Sequence, residues 1–239
     1  MSKHKWLIRA SQIGDLMASD RSGKGLGETA KKIILENVLF YKYGIEPKEI
    51  SSKYLEKGNI KEAENITLAA KILDWPGVDP QNTKTRLIND FITGEPDVLT
   101  PLTLADIKSS WDASTFPWLA EKCPNKNYIF QMQSYLWLSN RETCYLVYVL
   151  SNTPENLIYD EIRKDVWKNL ANPKFADKTE NEIEEIIEAK IRAQLTFDQI
   201  PENKRIKVFE IKRDETIIEQ IKTRVIEARE QFDLLFETI

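Results

Sequence analysis

The 239 residues include one histidine and two cysteines, and these shortages exclude whole classes of chemistry. Cys123 and Cys144 are too few for a disulfide framework or a structural zinc site, which points to a reducing cytoplasm. A lone His4 beside the N-terminus excludes most histidine chemistry: zinc hydrolases, His-metal nucleases, phosphohistidine intermediates and Ser-His triads. No apolar run approaches the roughly 20 residues of a membrane span. Met1-Ser2-Lys3-His4-Lys5 lacks the apolar stretch of a secretory signal. Ser22-Gly23-Lys24-Gly25-Leu26-Gly27 lacks the second half of a phosphate-binding loop, so no P-loop nucleotide site is expected. Overall basicity is missing too: 34 Lys and Arg face 38 Asp and Glu, which counts against a generic nucleic-acid binder. Catalysis, if present, must be built from carboxylates, lysine and metal.

The chain does have a locally basic start. Lys3, Lys5, Arg9, Arg21, Lys24, Lys31 and Lys32 face only Asp15, Asp20 and Glu28. A short helix is expected over Ser11–Ala18 with Ser11 as its cap, and a longer one over Glu28–Tyr43 with Ile33, Ile34, Val38 and Leu39 at helical spacing. Pro47 should open a third helix that runs to Leu73 and breaks at Trp75-Pro76-Gly77. Three strands follow, around Arg86–Thr93, Glu95–Thr100 and Leu102–Ser109. Asn125–Ser139 is helical again, Thr143–Leu150 is an apolar strand, and 176–193 is an exposed amphipathic helix whose glutamates form a solvated face. Ile206–Ile211 and Glu215–Phe236 close the chain as strand and helix. With no repeats or Gly/Ser linkers, 1–239 reads as a single α/β domain, a mixed sheet flanked by helices.

One constellation carries chemistry. Gly94-Glu95-Pro96-Asp97 ends one strand, and Asp106-Ile107-Lys108 lies in the next. Antiparallel pairing brings the three charged residues to one end of the sheet, and alternation puts Asp106 and Lys108 on one face with Ile107 toward the core. Phosphodiester hydrolysis needs an activated water and charge to offset the transition state, which carboxylate-held hard cations supply. Asp97 and Asp106, with the Ile107 carbonyl, suit Mg²⁺, and Mn²⁺ is an acceptable substitute. Lys108 can orient or help deprotonate the water. A third acid should come from a preceding helix, where Glu62 competes with Glu56 and Glu64. Gly58, one turn earlier, would let DNA or a helix approach closely. Gln131 and Tyr135, at i and i+4, share a helix face, and a buried glutamine there needs a partner.

On these residues the chain resembles the PD-(D/E)xK nucleases, and more narrowly the phage lambda exonuclease/YqaJ-type recombination nucleases. Pro96-Asp97…Asp106-Ile107-Lys108 is similar to the superfamily signature, Gln131…Tyr135 to its downstream helix, and Gly58…Glu62 to its upstream helix. Arg9-Ala10-Ser11-Gln12-Ile13 and Arg21-Ser22-Gly23-Lys24 resemble the N-terminal segment that contacts DNA near the 5′ end. The stretch from Ile206 to Glu215 fits the closing elements. The triplet begins with Asp where the exonuclease group has Glu, and Val98 stands where a glycine is common.

The resemblance implies a restriction-endonuclease-like fold with an N-terminal DNA-contacting segment, 1–45, and a closing strand and helix, 200–239. It implies Glu62, Asp97, Asp106 and Ile107 as metal ligands, Lys108 as the catalytic lysine and Gln131 as its support. Ser11, Arg21, Arg9 and Tyr135 would contact DNA. The implied activity is Mg²⁺-dependent exonucleolytic resection of duplex DNA from a free end in phage-type recombination. A ring-shaped homotrimer and a single-strand annealing protein are the implied partners, and no membrane is involved. Two other readings stand beside it: an endonuclease or RecB-like nuclease module, and an inactive DNA-binding or assembly protein.

Overall fold

The computed structural model describes residues 6–23, 25–48, 51–81 and 84–239, so His4, Lys3, Lys5 and Lys24 lie outside the described residues. Its elements run β1 (Ile8–Arg9), α1 (Ala10–Leu16), α2 (Glu28–Tyr43), α3 (Lys53–Ile72), β2 (Leu87–Ile88), β3 (Ile92–Gly94), β4 (Val98–Leu99) and β5 (Leu104–Ser109). They continue with α4 (Lys126–Ser139), β6 (Thr143–Val149), α5 (Glu155–Asn169), α6 (Glu180–Leu195), β7 (Ile206–Lys212) and α7 (Glu215–Thr238).

The main sheet has the order β4-β5-β6-β7. β4 and β5 pair antiparallel, β5 and β6 parallel, and β6 and β7 antiparallel. A crossover joins parallel strands, and here it is α4 that carries the chain from β5 to β6. Both faces of the sheet are covered. Ile66 and Ala69 of α3 pack on Val98, Ala105, Val147 and Val149 from one side. Met132 and Leu136 of α4 pack on Leu104, Leu146, Phe209 and Ile211 from the other. That double burial is why β6 reads as an unbroken apolar run instead of an alternating one. The fold is the α/β, restriction-endonuclease-like mixed sheet flanked by helices that the motifs imply.

A second, three-stranded sheet of order β1-β3-β2 stands beside it, with β1 parallel to β3. Behind it Trp6, Ile8, Ile13, Ile34, Val38, Ile221, Val225 and Phe232 join α1, α2 and α7 in one apolar cluster. α5 and α6 form a separate pair around Ile158, Ile162, Ile183 and Ile187, roofed by Trp111. The apolar positions of α6 recur every four residues, and Thr179 with Glu182 closes a capping box at its start.

Several expected boundaries move. α1 begins at Ala10, with Arg9 at the cap position and no side-chain cap, so Ser11 lies inside the helix and caps nothing. Pro47 does not open α3; Ser52 does, accepting from the Leu55 N–H, because a proline supplies no capping acceptor. Glu49 and Ile50, in that expected stretch, lie outside the described residues. The expected strand Arg86–Thr93 is a hairpin, since Asn89 Oδ1 accepts from the Phe91 and Ile92 N–H groups and folds the chain back. β1 and α5 have no counterpart in the sequence reading. The other elements lie within a few residues of expectation.

Candidate active site

β4 and β5 are adjacent, and their pairing brings Asp97, just ahead of β4, beside the middle of β5. Asp97 Oδ2 accepts from the Ile107 N–H at 2.7 Å, so the first acid is fixed to the backbone of the triplet itself. Along β5, Leu104 turns to the α4 side and Ile107 packs toward α3. Asp106 and Lys108 therefore face α4, as strand alternation requires. Asp106 is 2% exposed, a carboxylate in the protein interior.

Such a group needs partners. Lys108 Nζ lies 2.5 Å from Asp106 Oδ2. Gln131 of α4 spans the pair: its Nε2 donates to Asp106 Oδ1 at 3.2 Å, and its Oε1 accepts from Lys108 Nζ at 3.3 Å. The same Nε2 donates to the Tyr135 hydroxyl at 2.9 Å, and that hydroxyl donates to the Glu95 carbonyl at 3.3 Å. The i, i+4 relation between Gln131 and Tyr135 thus serves a network that ties α4 to β5 and to the segment entering β4. Lys108 Nζ also sits 4.7 Å from the Tyr128 ring centre, within cation–π range.

The electrostatics follow from burial. Desolvation, then the neighbouring Asp106 charge, pushes Asp97 up to about 7, against the Ile107 hydrogen bond and Lys108, which pull it down. Burial also works against the Lys108 charge, but Asp106, by charge and hydrogen bond, and Asp97 outweigh it, so the net shift is upward. Lys108 is an ammonium at neutral pH, a donor and not a base. Burial, then Asp106, raises the Tyr135 hydroxyl, which stays protonated.

These groups open into a cleft of about 540 Å³. Glu62, Asp97, Asp106, Ile107, Lys108, Gln131 and Tyr135 all line it, and so do Gly58, Arg9 and Ser11 from the earlier segments. α1 reaches the cleft because Gly14 lets it lie directly on α4. A Cβ added at Gly14 would stand 2.4 Å from Asn127 Cβ and 2.6 Å from its Cα. Of the three competing acids on α3, Glu62 alone faces the cleft. Glu56 accepts from Asn156, and Glu64 pairs with Lys61. Arg21 is not brought in: it is exposed on the turn between α1 and α2, which Asp20 and Ser22 close, and it does not line the cleft.

Some lining residues are given no site role by the sequence reading: Arg86, Glu95, Asn65, Ser109, Tyr54 and Tyr128. Arg86 contacts Glu95 at 3.5 Å, and Asn65 Nδ2 donates to Ser109 Oγ at 2.6 Å. Asn65 and Tyr128 carried a signal, lying three residues beyond Glu62 and three before Gln131 on the same helix sides.

Among the described residues no three Asp, Glu, His or Cys side chains are gathered closely enough to hold a metal ion. Glu62 is paired with Lys84 at 2.6 Å. The donor chemistry still suits a hard divalent cation. Burial, with the repulsion of a second buried carboxylate, lifts Asp97 into the neutral range, and Asp106 Oδ2 has an ion-pair contact but no well-directed hydrogen bond.

No family model and no curated protein matches the sequence. In three dimensions the chain is similar to a phage-related exonuclease from Haemophilus somnus 129PT, at 28% identity and a TM-score of 0.73, over 98% of this chain and 97% of that one. It is also similar to the alkaline exonuclease LHK-Exo from Laribacter hongkongensis, at 17% identity and a TM-score of 0.62, over 97% and 90%. The same enzyme in complex with dAMP superimposes with a TM-score of 0.58. The resemblance read from short motifs, to PD-(D/E)xK nucleases of the lambda-exonuclease type, therefore extends to the whole fold. No helix of the described residues is long and apolar enough to cross a membrane.

Proposed function

We propose that this chain is a nuclease that hydrolyses DNA phosphodiesters, and an exonuclease that shortens linear duplex from a free end with Mg²⁺ or Mn²⁺. One observation carries the reading: Asp97, Asp106, Lys108 and Gln131 meet in a single cleft of a chain 28% identical, nearly end to end, to an exonuclease. That relative is phage-related by its description, which is the support for a role in phage-type recombination.

Asp97, Asp106 and the Ile107 carbonyl would hold the cation, with Glu62 completing the set. When bound, the cation supplies positive charge at the scissile phosphate and acidifies a water. The chain's own groups do the positioning. Lys108, kept charged between Asp106 and Gln131, aims an ammonium at the phosphoryl oxygens and the attacking water. Gln131 keeps Lys108 and Asp106 in register. The guanidiniums of Arg9 and Arg86 and the hydroxyl of Ser11, all on the cleft wall, meet the flanking phosphates. Phosphate binding by a few residues lining one cleft does not require a basic protein, which removes the objection raised by net charge.

A buried Asp–Lys–Gln network disfavours the inactive-protein reading, because burying charge without use is costly. The test is digestion of linear, nicked and closed-circular duplex in Mg²⁺ and in EDTA. Loss of the linear form alone, and only with metal, is the expected result. Cutting of closed circles would make the protein an endonuclease, and no metal-dependent cleavage of any form would contradict the nuclease reading.

A further inference from the structure

Lys84 lies in the segment ahead of β2, and its Nζ sits 2.6 Å from Oε1 of Glu62. Glu62 lines the cleft, and the Lys84 ammonium is felt by Asp97 and Glu95 as well as by Glu62, so it stands among the acids of that wall. The consequence is visible in the acid centre. Asp97 feels the charges of both Asp106 and Glu62, yet no three acids are gathered into a metal-holding group among the described residues.

The backbone of α3 beside Glu62 is fixed to the strand that carries Asp106. Three residues on, Asn65 Nδ2 donates to Ser109 Oγ at 2.6 Å; five residues back, Lys57 Nζ donates to the Trp111 carbonyl at 2.9 Å. Both bonds fasten α3 to the end of β5, on either side of Glu62. The helix is anchored against the strand that carries Asp106, and the Glu62 side chain is the part with room to turn.

We propose that Lys84 is a latch on Glu62, occupying that carboxylate in the cation-free protein and releasing it when a divalent cation enters the cleft. Lys84 is thus a positioning residue, and the inference rests on the nuclease reading of the cleft. The pair is partly exposed, 45% for Lys84 and 28% for Glu62. Pairs of that kind are weak, so the latch biases cation binding without blocking it, by about fivefold at most. Its strength should fall as monovalent salt rises.

The experiment is calorimetric titration of the DNA-free protein with Mn²⁺, comparing wild type, Lys84→Met, Glu62→Gln and the double variant. Lys84 is on the surface, so folding is not at stake, and a thermal melt of each variant verifies it. Lys84→Met should bind Mn²⁺ more tightly than wild type, by up to about fivefold, and the gain should vanish in the Glu62→Gln background. Unchanged or weaker binding by Lys84→Met would overturn the latch, weaker binding making Lys84 a group that orients Glu62 for the metal. A gain that persists without Glu62 would also overturn it, since only the general repulsion between an ammonium and a cation would remain. Failure of every form to bind Mn²⁺ would instead overturn the nuclease reading, and the latch with it.

Discussion

On the α4 side of the cleft, Asp106, Gln131 and Tyr135 are all buried, with Gln131 bonded to both of the others and to Lys108, which also pairs with Asp106. On the α3 side, Glu62 stands partly in solvent, held by one ion pair to a half-exposed lysine. The two walls use the same residue types under different dielectric conditions. Buried polar groups bonded to one another are held rigidly, because any excursion leaves a charge unpaired in a medium that cannot solvate it. A solvent-facing carboxylate has water as an alternative partner and can change allegiance at small cost. One wall is suited to holding the reacting groups still, the other to responding when the cleft is filled.

If the α4 wall is the fixed one, breaking it should have the largest effect. Lys108→Met and Asp106→Asn are each expected to lower the rate of linear-duplex cleavage on the order of 10²–10³-fold, as for loss of a preorganised charge at a transition state. Glu62→Gln should cost less, and steady-state rates for the three variants rank the walls directly.

The α4 wall also depends on how closely α1 lies against it. Gly14→Ala forces a methyl into the backbone of Asn127, so the expected loss is about 1–3 kcal/mol of unfolding free energy, measured by urea denaturation. On the α3 wall the corresponding glycine has no neighbour. A Cβ at Gly58 meets nothing within 4 Å, so Gly58→Ala should stabilise by about 0.5–1 kcal/mol through helix propensity. Opposite signs at the two glycines would sharpen the contrast between the walls.

Between those magnitudes lies Lys57, the buried anchor behind α3. Burial lowers its pKa from 10.5 to about 7, with Asp112 opposing. Because the folded value lies below the unfolded one, charge burial costs stability in full below pH 7, and the cost fades as pH rises toward 10.5. Lys57→Met should therefore be stabilising by about 1–2 kcal/mol at pH 6–7, with an advantage that shrinks toward pH 9. Thermal melts across that range would show it. The Trp111 carbonyl keeps Thr153 as a second, longer partner at 3.5 Å.

Legibility in the sequence followed the same division. The Asp97…Lys108 pairing is local, set by strand alternation and a short connection, and Gln131–Tyr135 is set by one helical turn, so both stood out. α2 and α7 were readable because their burial repeats at a fixed period, and β6 because its apolar run is unbroken. β1 is two residues long and exists only through parallel pairing with β3, some 80 residues away, so no local pattern encodes it. α5 buries only Leu157, Ile158 and Ile162, too few to announce a helix. The hairpin at Asn89 did carry a signal, an Asn-Asp pair inside an apparent strand. The Glu62–Lys84 contact depends on how the segment before β2 packs, and neither residue's neighbours predict it.

The central claim is that the buried Asp106–Lys108–Gln131 network is a catalytic centre and not a structural one. Release of acid-soluble nucleotide from linear duplex DNA tests it, measured in Mg²⁺ for wild type and Lys108→Met at matched thermal stability. Release by wild type, absent in EDTA and reduced on the order of 10² or more in the variant, is the predicted result. Equal release by the two proteins, or none by wild type, would contradict it.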